Sequence, residues 1–164
     1  MNRFQLSFFS LFRKTSPRVN LDFQTESDSL LYPIWCDLQE EYFPSLRRIQ
    51  DYRLEWSKRN QLRTLATCHI DKKKVIVARE LNTTECQCWL PPLLYHEMCH
   101  AVIGRKLSRD RRKHIWHGPE FRALEAAHPE MAAFNAWVKD GGWQKAIRSH
   151  RARQAHQRRR SVAD

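Results

Sequence analysis

No stretch of this sequence approaches the roughly 20 consecutive apolar residues that a membrane-spanning helix needs. The nearest thing to one, the aromatic run from Gln5 to Phe12, follows Arg3 and is closed at once by Arg13 and Lys14. It also lacks a small-residue cleavage site, so it reads neither as a span nor as a secretory signal, and residues 1–27 are expected to be a flexible N-terminal extension. Cysteine is sparse and odd in number: Cys36, Cys68, Cys86, Cys88 and Cys99 form no disulfide framework. They read as reduced thiols of an intracellular, cytoplasmic protein. Cys86 and Cys88 are too close together for an ordinary zinc ribbon, and no second cysteine pair could complete one. Acidic residues are missing from 145–160, which holds seven Lys or Arg, while 105–113 sets six against Asp110 alone. These clusters contribute +7 and +5 to a formal net charge of +11, so the rest of the chain sums to −1. Positive charge is therefore local, and a localised basic face points to a polyanionic partner, with nucleic acid the leading candidate. The basic segments expected to meet it are 105–114 and 145–160. No recognition-helix, RRM or zinc-finger pattern accompanies them.

What is present suffices for one folded domain. The chain has 164 residues, 41% of them hydrophobic, with six Trp and eight Phe, which excludes a disordered polyelectrolyte through its middle. Asp28 to Tyr42 carries apolar residues at Leu30, Ile34, Leu38 and Tyr42, widened by Leu31 and Trp35, and predicts an amphipathic helix. The period then changes to two. Tyr52, Leu54 and Trp56 alternate with charged residues; Leu65, Thr67 and His69 alternate with Ala66, Cys68 and Ile70; Asp71 to Lys73 make a turn into the Val- and Ile-rich stretch from Lys74 to Leu81. Three strands in an antiparallel meander are the simplest expectation. His69 falls within a strand and reads as a surface or half-buried histidine. Pro91-Pro92 opens a second helix, to be buried through Leu93, Leu94, Met98, Val102 and Ile103 and to end near Gly104. A helix from Pro119 to about Ala127 follows, built on Phe121 and Leu124, then another through Met131, Phe134 and Trp137, stopped by Gly141-Gly142. The expected division is an extension over 1–27, a domain over 28–143 and a basic tail over 144–164.

The second helix carries His96-Glu97-Met98-Cys99-His100, an H-E-x-x-H pattern. Residues i and i+4 lie on one helical face, so one Zn²⁺ could bridge both imidazoles, while Glu97 sits beside the metal as a candidate general base. A composition rich in His and Glu can produce this pattern by chance, so its surroundings must decide. Cys99 is turned away from the His96/His100 face and reads as a small core residue. A catalytic zinc usually takes three protein ligands. Ile103 and Lys106 stand where a metzincin would place its Gly and third His, which excludes that class. Glu120 or Glu125 from the next helix would give a gluzincin-like site. His117, at a chain break just before a helix, is the best placed, with His114 a lesser option. Tyr95, His114 and Arg105 are candidate oxyanion donors, each also readable as structural or solvent-facing.

His96-Glu97-Met98-Cys99-His100-Ala101, followed after a basic loop by His117-Gly118-Pro119-Glu120-Phe121, resembles the SprT-like metalloproteases, including the Spartan type. The aromatic helix ending in Tyr42-Phe43, the strand with Trp56 and the stretch Glu80-Leu81-Asn82 agree with it, so the resemblance covers roughly 30–140. It implies a small zincin-like α+β domain: an N-terminal helix, a three-stranded sheet, the H-E-x-x-H helix and following C-terminal helices. It further implies His96, His100 and His117 as zinc ligands, Glu97 as the catalytic glutamate, and a protein substrate that is DNA-bound or DNA-crosslinked. Two departures stand out. The C-terminal zinc ribbon of many members is missing, replaced by a basic tail, and the long interaction-motif tails of the Spartan type are not seen. A different reading of the same residues is a basic nucleic-acid-binding protein with a non-catalytic zinc site.

Overall fold

The computed structural model describes residues 28–107 and 117–161, with only the backbone of 105–107. The extension 1–27, His114 and the side chains of the first basic segment lie outside the described residues. Asp28 starts the first helix by accepting the Leu30 and Leu31 N–H groups on its Oδ1, at 2.9 and 3.2 Å. The helix α1 then runs over Leu31–Tyr42. Its buried face is Leu31, Tyr32, Trp35, Leu38 and Gln39, rotated slightly from the expected stripe because Leu30 precedes the first turn. Trp35 donates its indole N–H to the Ile49 carbonyl at 2.8 Å and stacks on Tyr52, while buried Gln39 donates to the Phe43 carbonyl and accepts from Gln50. No hydrogen-bonding group of these two buried side chains is wasted, which fixes α1 against the turn at Arg47–Ile49.

The sheet departs from the expected meander. Its strands are β1 (Arg53–Trp56), β2 (Ala66–His69) and β3 (Lys74–Val77), in the order β1-β3-β2. β2 and β3 are the antiparallel hairpin anticipated from Asp71 to Lys73, with Lys73 in the left-handed region at φ 45°. β1, however, pairs parallel to β3, with Leu54 opposite Val75 and Trp56 opposite Val77. The physical reason is burial. Val75 and Val77 on β3 are fully inaccessible, as is Leu54, so the most apolar strand takes the centre and the chain after Ser57 loops away before returning as β2. Each such side chain contributes about 1.5–3 kcal/mol on burial. The stretch after β3 is not more strand but a tight helical turn, Arg79–Leu81, which buries Glu80 where its Oε1 accepts the Gln61 N–H at 2.7 Å.

Helix α2 (Leu90–Leu107) runs through the middle of the core. Leu93, Leu94, Met98, Val102 and Ile103 are all buried as expected, and so are Leu90, Tyr95, Cys99 and Ala101. After the segment outside the described residues come α3 (Pro119–Glu125), α4 (Met131–Lys139) and α5 (Gly142–Arg160). Gly141, at φ 83°, makes the left-handed turn between α4 and α5. The expected domain end at Trp143 falls inside α5, whose first turns bury Trp143, Ala146 and Ile147. From Arg151 onward the helix is exposed except at Gln154, which exchanges amide hydrogen bonds with Asn60. All five cysteines are free thiols, and Cys99 lies in the core. No described helix is long and apolar enough to cross a membrane.

The start of α5 is where packing and intrinsic propensity oppose each other. Alanine is favoured over glycine in a helix by about 1 kcal/mol. A Cβ on Gly142 would nonetheless fall inside the van der Waals envelope of the Trp137 indole, which is itself stacked on Trp89 at 5.3 Å. Overpacking of this kind costs about 1–3 kcal/mol. Gly142→Ala is expected to be net destabilising, read as a lower urea midpoint with an unchanged m-value; a raised midpoint would show that Trp137 is free to move.

Candidate metal centre

Along α2 the half-open positions recur at Pro91, His96, His100 and Gly104, and the residues between are buried. The last three, four residues apart, form one stripe along the helix. A helix apolar on nearly every side is held from all directions, so this stripe is a rigid place for side chains. Helix α3 packs across it. His117, Phe121 and Glu125 also stand four residues apart, and all three face the stripe: His117 and Phe121 contact its imidazoles, and Glu125 bonds one of them.

The three histidines expected to share a metal are brought together. His96 Nε2 lies 3.2 Å from His100 Nε2, and His117 Nε2 lies 3.2 Å from His100 Nε2. Among the described residues these three form the cluster able to hold an ion, with donor atoms all within 4.8 Å of one another. The expected alternatives separate from it. Glu120 is exposed in the first turn of α3. Glu125 places Oε1 2.6 Å from His96 Nδ1, the ring nitrogen on the far side from the cluster. Burial, then the neighbouring His96 and His117, pushes the His100 pKa down to about 4, and burial also lowers that of His96 against the raising effect of Glu125. The His96 and His100 imidazoles are therefore neutral at pH 7. Their converging lone pairs cannot all satisfy one another, and a divalent transition metal suits such a nitrogen set.

Phe121 is a part of the site that the sequence reading treated only as core. Its ring is buried beneath the cluster, with centroids 5.1, 4.5 and 4.7 Å from those of His96, His100 and His117. The signal was available in its position four residues after His117. Tyr95, a candidate oxyanion donor, is fully buried and donates its hydroxyl to the Leu124 carbonyl at 2.9 Å, so it ties α2 to α3 instead. His69 is exposed on β2. Arg105 and His114, the other candidates, cannot be placed among the described side chains.

Glu97 is buried at 5% exposure on the side of α2 that meets β2. Burial raises its pKa to about 7, against the lowering effect of the nearby Cys68 backbone N–H. Burial and the Glu97 charge push the Cys68 thiol up to about 12, so it stays protonated.

A family model described as SprT-like matches residues 31–140. The chain belongs to the SprT-like family. No curated protein and no solved structure gave a match. Family membership makes this a metalloprotease-type domain, and the three histidines are compatible with a metal ion there. If His117 is the third ligand, His117→Ala is expected to lower the metal content of purified protein from about one ion per chain to well under one. Content unchanged by atomic emission would move the role to Glu120 or His114.

Proposed function

We propose that this chain is a zinc metalloendopeptidase, with His96, His100 and His117 as ligands and Glu97 as general base. The observation that carries this reading is an all-nitrogen, three-donor cluster with a buried carboxylate next to its first member. Structural zinc sites favour four ligands and cysteine, whereas the nearest cysteine in sequence, Cys99, is committed to the core. Two imidazole nitrogens bound tetrahedrally to one zinc at about 2.0–2.1 Å stand about 3.3 Å apart, close to the 3.2 Å separations here. When bound, zinc supplies Lewis acidity, polarising a carbonyl and lowering the pKa of water to about 7.

The chain's own residues account for the remaining steps. Glu97, buried on the side of α2 that meets β2, takes the proton of the attacking water and delivers it to the leaving amine. Burial favours its protonated form, which helps it hold the proton between the two transfers. Strand β2 supports a peptide substrate in particular. It is an edge strand, and the Ala78-to-Leu65 bond at 2.7 Å sets the alternation, so Ala66 and Cys68 direct their backbone groups away from β3. That edge includes the Cys68 N–H near Glu97, and an extended substrate segment could pair along it.

The nucleic-acid partner rests on α5. Arg151, Arg153, Arg158, Arg159 and Arg160 lie on its exposed half with no acid among them. Like charges a turn apart disfavour a helix, and a phosphate backbone relieves that repulsion while releasing counterions. The proposed substrate is accordingly a protein bound or crosslinked to DNA, inside the cytoplasm. A binder with a non-catalytic metal is the second reading, favoured by the same helix.

Zinc-loaded protein is expected to cleave itself or a DNA-bound protein, and Glu97→Gln to retain zinc while losing cleavage by about 10²-fold or more. Cleavage that survives Glu97→Gln would sink the mechanism; zinc and DNA binding with no cleavage in the wild type would leave the binder reading standing. For α5, replacing Arg158, Arg159 and Arg160 by Gln spares the buried turn at Trp143. It is expected to weaken DNA binding and make the plot of log K against log salt shallower by about 2–3. An unaltered slope in fluorescence anisotropy would remove this helix as the contact.

A further inference from the structure

The sequence leaves Glu125 as a possible metal ligand, and the structure points it elsewhere. From the geometry we infer that Glu125 is a positioning residue: it fixes His96 in the tautomer and ring orientation that turn Nε2 toward His100. The inference rests on the zinc reading above and deepens it. A neutral imidazole has one N–H and one lone pair. With Glu125 Oε1 at 2.6 Å, His96 Nδ1 carries the hydrogen and donates it to the carboxylate, so the lone pair is on Nε2, the atom 3.2 Å from His100 Nε2. An imidazole held this way is also a more basic ligand than one donating to water.

The surroundings show why this carboxylate is itself held. Glu125 is the last residue of α3, a helix of seven residues that could not be rigid alone. Two adjacent pairs tie it to α2: Tyr95 donates to the Leu124 carbonyl at 2.9 Å, and His96 meets Glu125. The buried Phe121 ring closes the same face, against all three imidazoles. These ties hold the α3 backbone so that the Glu125 carboxylate stays beside His96 Nδ1.

The test is zinc affinity, measured by competition with a chromogenic chelator, together with the visible spectrum of the cobalt-substituted protein. Glu125→Ala is expected to weaken zinc binding by about 10–100-fold and to alter the cobalt bands. Glu125→Gln, whose amide oxygen can still accept from Nδ1, should lose clearly less. Tyr95→Phe removes the neighbouring tie and leaves the carboxylate; it should lower the melting temperature of metal-free protein while changing zinc affinity by under about threefold. Glu125→Ala binding zinc within about twofold of wild type would overturn the inference. So would Tyr95→Phe weakening zinc as much as Glu125→Ala, since the carboxylate would then be only a tether. Wild-type protein that takes up no zinc would instead refute the zinc reading itself, and the positioning role with it.

Discussion

The contact between Phe121 and the three imidazoles is what the rest of the site depends on. Three ring nitrogens converging on one point cannot all pair with one another, so the rings must be held by something besides mutual attraction. Phe121 does this with shape. Its buried ring presents an apolar surface to His96, His100 and His117 together, at centroid distances between 4.5 and 5.1 Å. Rings in such contact gain dispersion and edge-to-face stabilisation, and their remaining freedom is to turn a nitrogen toward the centre or away. Glu125 removes that freedom for His96. The apolar contact thus sets where the rings lie, and the polar one sets which atom His96 offers.

The small sheet serves the same face from the other side. β3 takes the centre because it is the most apolar strand, which leaves β2 as an edge strand in contact with α2. A sheet in the expected meander order would have put β2 between its neighbours and used up its outward backbone groups. Here one of them, the Cys68 N–H, is available to Glu97. The mixed topology thus leaves that N–H facing the proposed general base.

Much of this could be read from residue spacing, and the failures share a cause. The His96/His100 pair, the Pro91-Pro92 start and the buried face of α2 all follow from positions within one helix, where geometry is fixed by the backbone. His117 was readable because it stands at a break before Pro119. The order of the strands was not, because it depends on where the chain between Ser57 and Leu65 returns, and no local pattern encodes that. Glu125 was ambiguous for a similar reason: a carboxylate beside a histidine looks the same in sequence whether it meets the metal or the far ring nitrogen. The helix α5 across residue 143 was hard to read because its Arg-rich composition hides the spacing of Trp143, Ala146 and Ile147, which bury its first turns.

The interval of four shared by His117, Phe121 and Glu125 has a consequence for how this site can vary. A proposed ligand, the apolar support of the cluster and the carboxylate that orients His96 are all carried by nine consecutive residues. They dock on α2 as one piece, so they are inherited or lost together. A single insertion within α3, between Phe121 and Glu125, would rotate one part of the set by about 100° relative to the rest and disperse it. Change in the length of the connection before His117 carries no such penalty from this geometry. The segment behaves as a cassette, and variation among related chains should collect outside it.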